Sequence, residues 1–177
     1  MLNWFSAAAF DVHGFVVPVL GHDRGMSASV IGAVLGSFAL AATASRIALP
    51  IFASRIREST LITVALVFGA LAFFAYPFAT TALTMGLCSA GVGMSIGAVQ
   101  PMLMTLLHQT APPHRHGDAV AMRHLMINAS SVAMPLLLGV AAGAFGVSIL
   151  FWVMGIAVGL GTPISATLRK IDQQRHN

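Results

Sequence analysis

An all-α, polytopic membrane protein of six transmembrane helices is the fold this sequence predicts, and three observations predict it. From residue 1 to residue 169, apolar stretches of about twenty residues follow one another, separated by short polar or Gly/Pro breaks. At about 1.5 Å rise per residue, each stretch matches a hydrocarbon core of roughly 30 Å. Hydrophobic residues make up 57% of the 177 and charged residues 8%, against about a quarter charged in a typical soluble domain. A water-soluble globule of this size has too much surface to hide that much apolar side chain, so the solvent is lipid. The third observation is the placement of the bases, which collect on one side of the predicted spans.

Helix one is expected over about 2–20, ending at the turn GHDRG (21–25). This stretch lacks the basic lead and small-residue cleavage site of a signal peptide and carries Asp11 and His13 within its apolar run. Helix two is expected over 28–53, after Ser27 as an N-cap, with Arg46 and Pro50 near its end. The polar break SRIREST (54–60) separates it from helix three, 61–76, which stops where the Pro77 ring removes a donor and clashes with the preceding turn. Helix four is expected over 83–107, helix five over 119–142 after the polar break HQTAPPHRHGD (108–118), and helix six over 148–168. Residues 1–169 thus form one transmembrane domain and 170–177 a cytoplasmic tail. Loops this short make neighbouring helices alternate in direction, and six crossings put both termini on one side.

Nine bases against five acids give a net charge of +4, but the loop that holds each base matters more than the sum. One face receives Arg55, Arg57, Arg115, Arg169, Lys170 and Arg175, with Arg46 and Arg123 within about two turns of it; the other receives Arg24 beside Asp23. The positive-inside rule makes the basic face cytoplasmic, with both termini on that side. Eight arginines against one lysine, in an Ala/Gly-rich chain, point to a GC-rich bacterial genome and so to the bacterial inner (plasma) membrane. A basic balance alone does not suggest nucleic acid, and the partner expected is the lipid bilayer. The single cysteine, Cys88, forms no internal disulfide and completes no metal site.

Small residues recur at helical spacing: Gly32 and Gly36, Gly93 and Gly97, Gly139 and Gly143, Gly155 and Gly159, with Gly86, Ala90, Gly93 and Gly97 on one face of helix four. Close backbone approach at such residues replaces the hydrophobic drive that helices lack in lipid, so a tight bundle is expected.

Ionisable groups at membrane depth cost about 2.5–3.5 kcal/mol each on insertion scales, so each needs a partner, a water cavity or an interfacial position. Asp11 and His13 are two residues, or about 200° of helical turn, apart. Only one of them faces a central cavity squarely. Asp11, on the side of Phe15 and Pro18, is read as the cavity-facing, proton-carrying or substrate-binding group; the alternative is a structural partner for a base on a neighbouring helix or a position nearer the interface. His13 is read as a satisfied packing residue. Gln100, beside Pro101 at a helix break, and Asn128 are read as substrate contacts, the alternative being interhelical hydrogen bonds; Ser130 and Ser131 share both readings. Arg46, Arg55 and Arg123 are read as stabilisers of the cytoplasmic gate, close enough to the interface to snorkel. His108, His114, His116 and His124 lack the cysteines and acids of a ligand set, so neither a metal nor another cofactor is expected. No strand, nucleophile elbow or phosphate loop presents catalytic groups, so the chain is read as a non-enzyme.

Two stretches resemble the major facilitator superfamily (MFS), and the six helices resemble its carboxy-terminal half. RIALPIFASRIREST (46–60) is similar to that family's loop between the second and third helix of a half: an arginine, a small residue, an acid-arginine pair and a basic end. It departs at Pro50, where Gly is usual, and at Ser54, where Asp is usual, while Arg55 and Arg57 keep the basic character. QPMLMTLLHQTAPPHRHGDAVAMRHLMINASSVAMPLLLG (100–139) is similar to the family's fourth-to-fifth helix passage, with Pro-Pro, a base, Gly, Arg123, Pro135 and Gly139 in order. The resemblance implies a secondary transporter, an ion-coupled or facilitated permease for small organic solutes working by alternating access, its site between two six-helix halves. It also implies twelve helices in a full carrier. The chain is therefore read as a fragment or half, which the abrupt apolar start after Met1 favours, partnered by a missing amino-terminal half or a second copy. The alternative is a six-helix membrane scaffold or partner protein without transport activity.

Overall fold

Backbone N–H and C=O groups in hydrocarbon have no water to bond, so each apolar segment satisfies its own as a helix. The computed structural model describes residues 2–53, 58–110 and 116–160. The helices are α1 (Leu2–Asp23), α2 (Ala28–Ala53), α3 (Glu58–Ala75), α4 (Ala82–Thr110), α5 (His116–Phe145) and α6, described over Val147–Leu160. A 3₁₀ turn, Tyr76–Phe78, follows α3 and holds Pro77. There is no strand among the described residues.

The helix ends follow from local chemistry. α1 runs three residues past the expected position 20 to Asp23, because Gly25 at φ 68° closes it: Met26 N–H donates to Gly21 O at 3.0 Å and Gly25 N–H to His22 O at 2.9 Å. These are the paired bonds of a Schellman cap, which needs a left-handed residue. Gly146, also left-handed at φ 83°, ends α5 as an αL cap through the single 3.0 Å bond of its N–H to Ala142 O, and so separates α5 from α6. α3 starts at Glu58 and α5 at His116, each three residues before the expected start. The helix break expected beside Gln100 is absent: α4 continues through Pro101 to Thr110. Pro101 removes one donor from the ladder and so frees the carbonyl of Gly97, a loss that spanning helices tolerate; one turn on, Thr105 Oγ1 donates to Pro101 O at 3.2 Å.

Ala28–Leu49, Thr60–Phe78, Ala82–Thr105 and Val120–Ala144 are each long and apolar enough to cross a membrane. α1 carries Asp11 and His13 in its middle and is less apolar; α6 is shorter over its described residues. Leu40, Ile47, Val132, Leu136 and Val140 are each about 70% exposed or more, a spread of bare apolar surface that water would not tolerate. The chain is an all-helical, polytopic membrane protein.

α4 is the central helix, packed against α2, α3 and α1; half of its span is buried, against 11% for the spans of α2 and α5. Glycine makes that centre possible. A Cβ at Gly93 would strike the Phe38 carbonyl oxygen, and one at Gly97 would lie 2.7 Å from Ala42 Cα, so α2 rests directly on the backbone of α4. Gly155 gives α6 similar access to the Phe74 ring, at 3.0 Å. The expectation of close approach fails at Gly32, Gly36, Gly139 and Gly143, which have open space where a Cβ would stand. α5 is held chiefly by α1 and only lightly by α4. α6 docks through Phe151 on Phe73 of α3 and on the turn after it, where the ring stacks on Tyr76 with centroids 4.5 Å apart.

Candidate functional site

α1 separates its polar groups by face. Ala9, Val12, His13, Val16 and Leu20 are buried, whereas Phe10 and Gly14 are exposed and Asp11 and Pro18 half-buried. The 100° step of the helix turns Asp11 and His13 to different neighbours, as their spacing requires.

His13 is 2% exposed and meets three other elements. Its ring stacks on Phe38 of α2, centroids 4.4 Å apart. Its Nε2 lies 2.8 Å from Ser89 Oγ of α4 and 3.4 Å from the Tyr76 hydroxyl in the turn after α3. Ser89 Oγ in turn donates to Val34 O of α2 at 2.7 Å. A carbonyl only accepts, so the single serine proton goes to Val34 and the serine oxygen accepts from His13. That assigns the imidazole its Nε2–H tautomer. The satisfied packing role read for His13 is the one it plays. Spacing in the sequence did not reveal its partners. The signals available were a lone tyrosine before a proline and a serine within an apolar run.

Asp11 turns to α5. Ser130 Oγ donates to Oδ2 at 3.3 Å, and Ser131 Oγ stands 3.2 Å from Oδ1 and 3.4 Å from Oδ2. The structural partners of this carboxylate are hydroxyls rather than the base that the alternative reading named. Asn128, on the same helix, is exposed and turned away from the packing face that holds Ser130.

Two residues assigned to different roles meet: Arg46 Nη2 of α2 donates to Gln100 Oε1 of α4 at 3.3 Å. Gln100 is half-buried and Arg46 exposed, so the pair ties α2 to α4 at the edge of the bundle. Arg123 is half-buried on α5 and has a partner of its own. Arg55 lies outside the described residues, as does His114; the side chains of His108 and His116 are likewise not described.

Arg24, read from sequence only as the base beside Asp23, has a specific task. Its Nη2 donates to Pro77 O at 2.8 Å and its Nη1 to Ala79 O. The guanidinium thereby serves carbonyls that the end of α3 leaves without helical partners. It locks the α1–α2 turn to the α3–α4 turn.

The family model of the Major Facilitator Superfamily matches residues 1–176 of this sequence. No curated protein matches it.

Proposed function

The chain belongs to the Major Facilitator Superfamily, a family of secondary transporters, and from that premise we propose that it moves a small organic solute across the membrane by alternating access. Asp11, Gln100 and Asn128 face the solute path, and Arg46, Arg55 and Arg123 stabilise the closed cytoplasmic end. The six helices supply one half of a twelve-helix carrier; an amino-terminal six-helix half or a second copy supplies the other. The protein sits in the bacterial inner membrane with both termini in the cytoplasm.

The observation that carries this reading is the half-open carboxylate of Asp11, in mid-helix and hydrogen-bonded, among the described residues, to the Ser130 and Ser131 hydroxyls of α5 at 3.2–3.4 Å. Alternating access needs an element with two arrangements. α1 is anchored on its buried side by His13, which bonds α4 and stacks on α2. On its other side α1 packs most extensively against α5, and the long polar ties of Asp11 to Ser130 and Ser131 lie within that interface. A change in the charge state of Asp11, by proton or solute, alters those ties directly.

Reconstitution in proteoliposomes under an imposed proton gradient tests the proposal. Asp11→Asn is expected to lower gradient-driven solute uptake by about tenfold or more, with Asp23→Asn close to the unsubstituted chain. Undiminished coupled flux in Asp11→Asn removes Asp11 from the mechanism. A chain that moves no solute, alone or co-expressed with an amino-terminal half, overturns the carrier reading.

A further inference from the structure

An ionised carboxylate offers about four acceptor positions. Two hydroxyls reach Asp11, at 3.2–3.4 Å, where a strong O–H···O⁻ bond is about 2.5–2.7 Å. The serines orient the group without using up its capacity. Asp11 also stands apart from the other acids of the chain. Asp23, Glu58 and Asp118 occupy first or last helical turns, and Asp172 is outside the described residues. Asp11 is the one acid in the interior of a described helix.

The arc of α1 that carries Asp11 also carries an open position and two aromatic residues. Gly14, three residues along α1, has nothing within 4 Å of where a Cβ would stand. Phe10 is 50% exposed, and its ring is set edge-on against Phe38 with centroids 5.6 Å apart. Phe15 follows Asp11 by one turn on the same side, half-buried with part of its ring against the core and the rest accessible. A carboxylate in a low-dielectric setting, a gap in the helix surface and aromatic rings before and after it complement a positive charge on an apolar body. The same set repels an anion and gives a neutral solute no electrostatic gain.

We infer that this open face of α1 binds the cationic group of the transported solute, which is an organic cation such as a protonated amine or a quaternary onium. The carboxylate of Asp11 takes the charge, Phe10 and Phe15 take the apolar substituents, and Ser130 and Ser131 position the carboxylate. The inference rests on the carrier reading above and narrows it to one class of cargo.

Binding of tetraphenylphosphonium and of tetraphenylborate, four-ring ions of like shape and opposite charge, tests it on the full chain in nanodiscs, with uptake by empty nanodiscs subtracted. The chain is expected to bind the phosphonium about tenfold or more tighter than the borate. Asp11→Asn is expected to abolish that preference, Asp11→Glu to keep most of it, and Phe10→Ala to weaken phosphonium binding about threefold, a typical loss for one cation–π contact. Equal binding of the two ions by the unsubstituted chain overturns the inference. So does a preference that survives in Asp11→Asn, which would leave Asp11 a proton carrier only. Should Asp11→Asn fail to fold, Asp11→Glu and Phe10→Ala carry the test: no change in Phe10→Ala together with loss of the preference in Asp11→Glu overturns it. Charge-selective binding without flux in proteoliposomes would sink the carrier reading and keep the site; flux of neutral or anionic solutes without charge-selective binding would do the reverse.

Discussion

Asp11 and His13 stand two residues apart and have opposite surroundings. His13 is enclosed, with its Nε2–H satisfied by Ser89 and its ring covered by Phe38; Asp11 is half-open, with two distant hydroxyls. A buried donor that loses its acceptor costs about 1–3 kcal/mol. Ser89→Ala is therefore expected to lower stability by that amount, read as thermal unfolding in detergent, while Ser131→Ala, at an exposed position, stays within about 0.5 kcal/mol. The opposed directions of the two residues were legible from the 200° between them. Their partners were not, because Ser89 lies 76 residues from His13 and Ser131 lies 120 from Asp11. No local periodicity carries information over that distance. Gln100 illustrates the same limit: two uses for its amide were open, and the structure pairs it with Arg46 across 54 residues.

Among the elements, α4 shows how far a small-residue pattern can be trusted. The stripe through Gly93 and Gly97 meets the backbone of α2, yet the equally spaced Gly139 and Gly143 of α5 meet nothing within 4 Å. Spacing tells where close approach is permitted, and the partner decides whether it happens. Gly97→Ala is expected to destabilise by about 1–3 kcal/mol, since a backbone neighbour cannot move aside as a side chain does. Gly139→Ala is expected to stabilise by up to about 1 kcal/mol, the helix-propensity difference alone. Parallel thermal unfolding of the two variants checks both, and equal effects would refute direct α2–α4 contact. Helix ends repeat the lesson: Gly25 and Gly146 supply the left-handed residues that stop α1 and α5, whereas Pro101, an apparent breaker, leaves α4 continuous.

At the scale of the molecule, the charge asymmetry of the loops predicts which side each turn occupies. Arg24 fastens the α1–α2 turn to the α3–α4 turn, so those two turns share one end of the bundle, and the positive-inside rule predicts that it is the outer end. Thr80 is exposed in the second of these turns. Cys88 is the single cysteine, which allows a clean test in a Cys88→Ala background. A membrane-impermeant maleimide is expected to label Thr80→Cys in intact cells and Arg57→Cys only after lysis. The opposite pattern would reverse the orientation.

Membership of a membrane-transport family was legible as a resemblance carried by two stretches, 46–60 and 100–139, and the helical, lipid-embedded character in segment length and hydropathy. Length and hydropathy suffice for the latter because a bilayer acts on each segment in turn. The tertiary structure alone decided that α4 is the centre, that α5 hangs mainly on α1, that His13 is locked and that Asp11 keeps spare acceptor capacity. Those outcomes arise from contacts between residues dozens of positions apart, whose geometry exists only once the helices have packed.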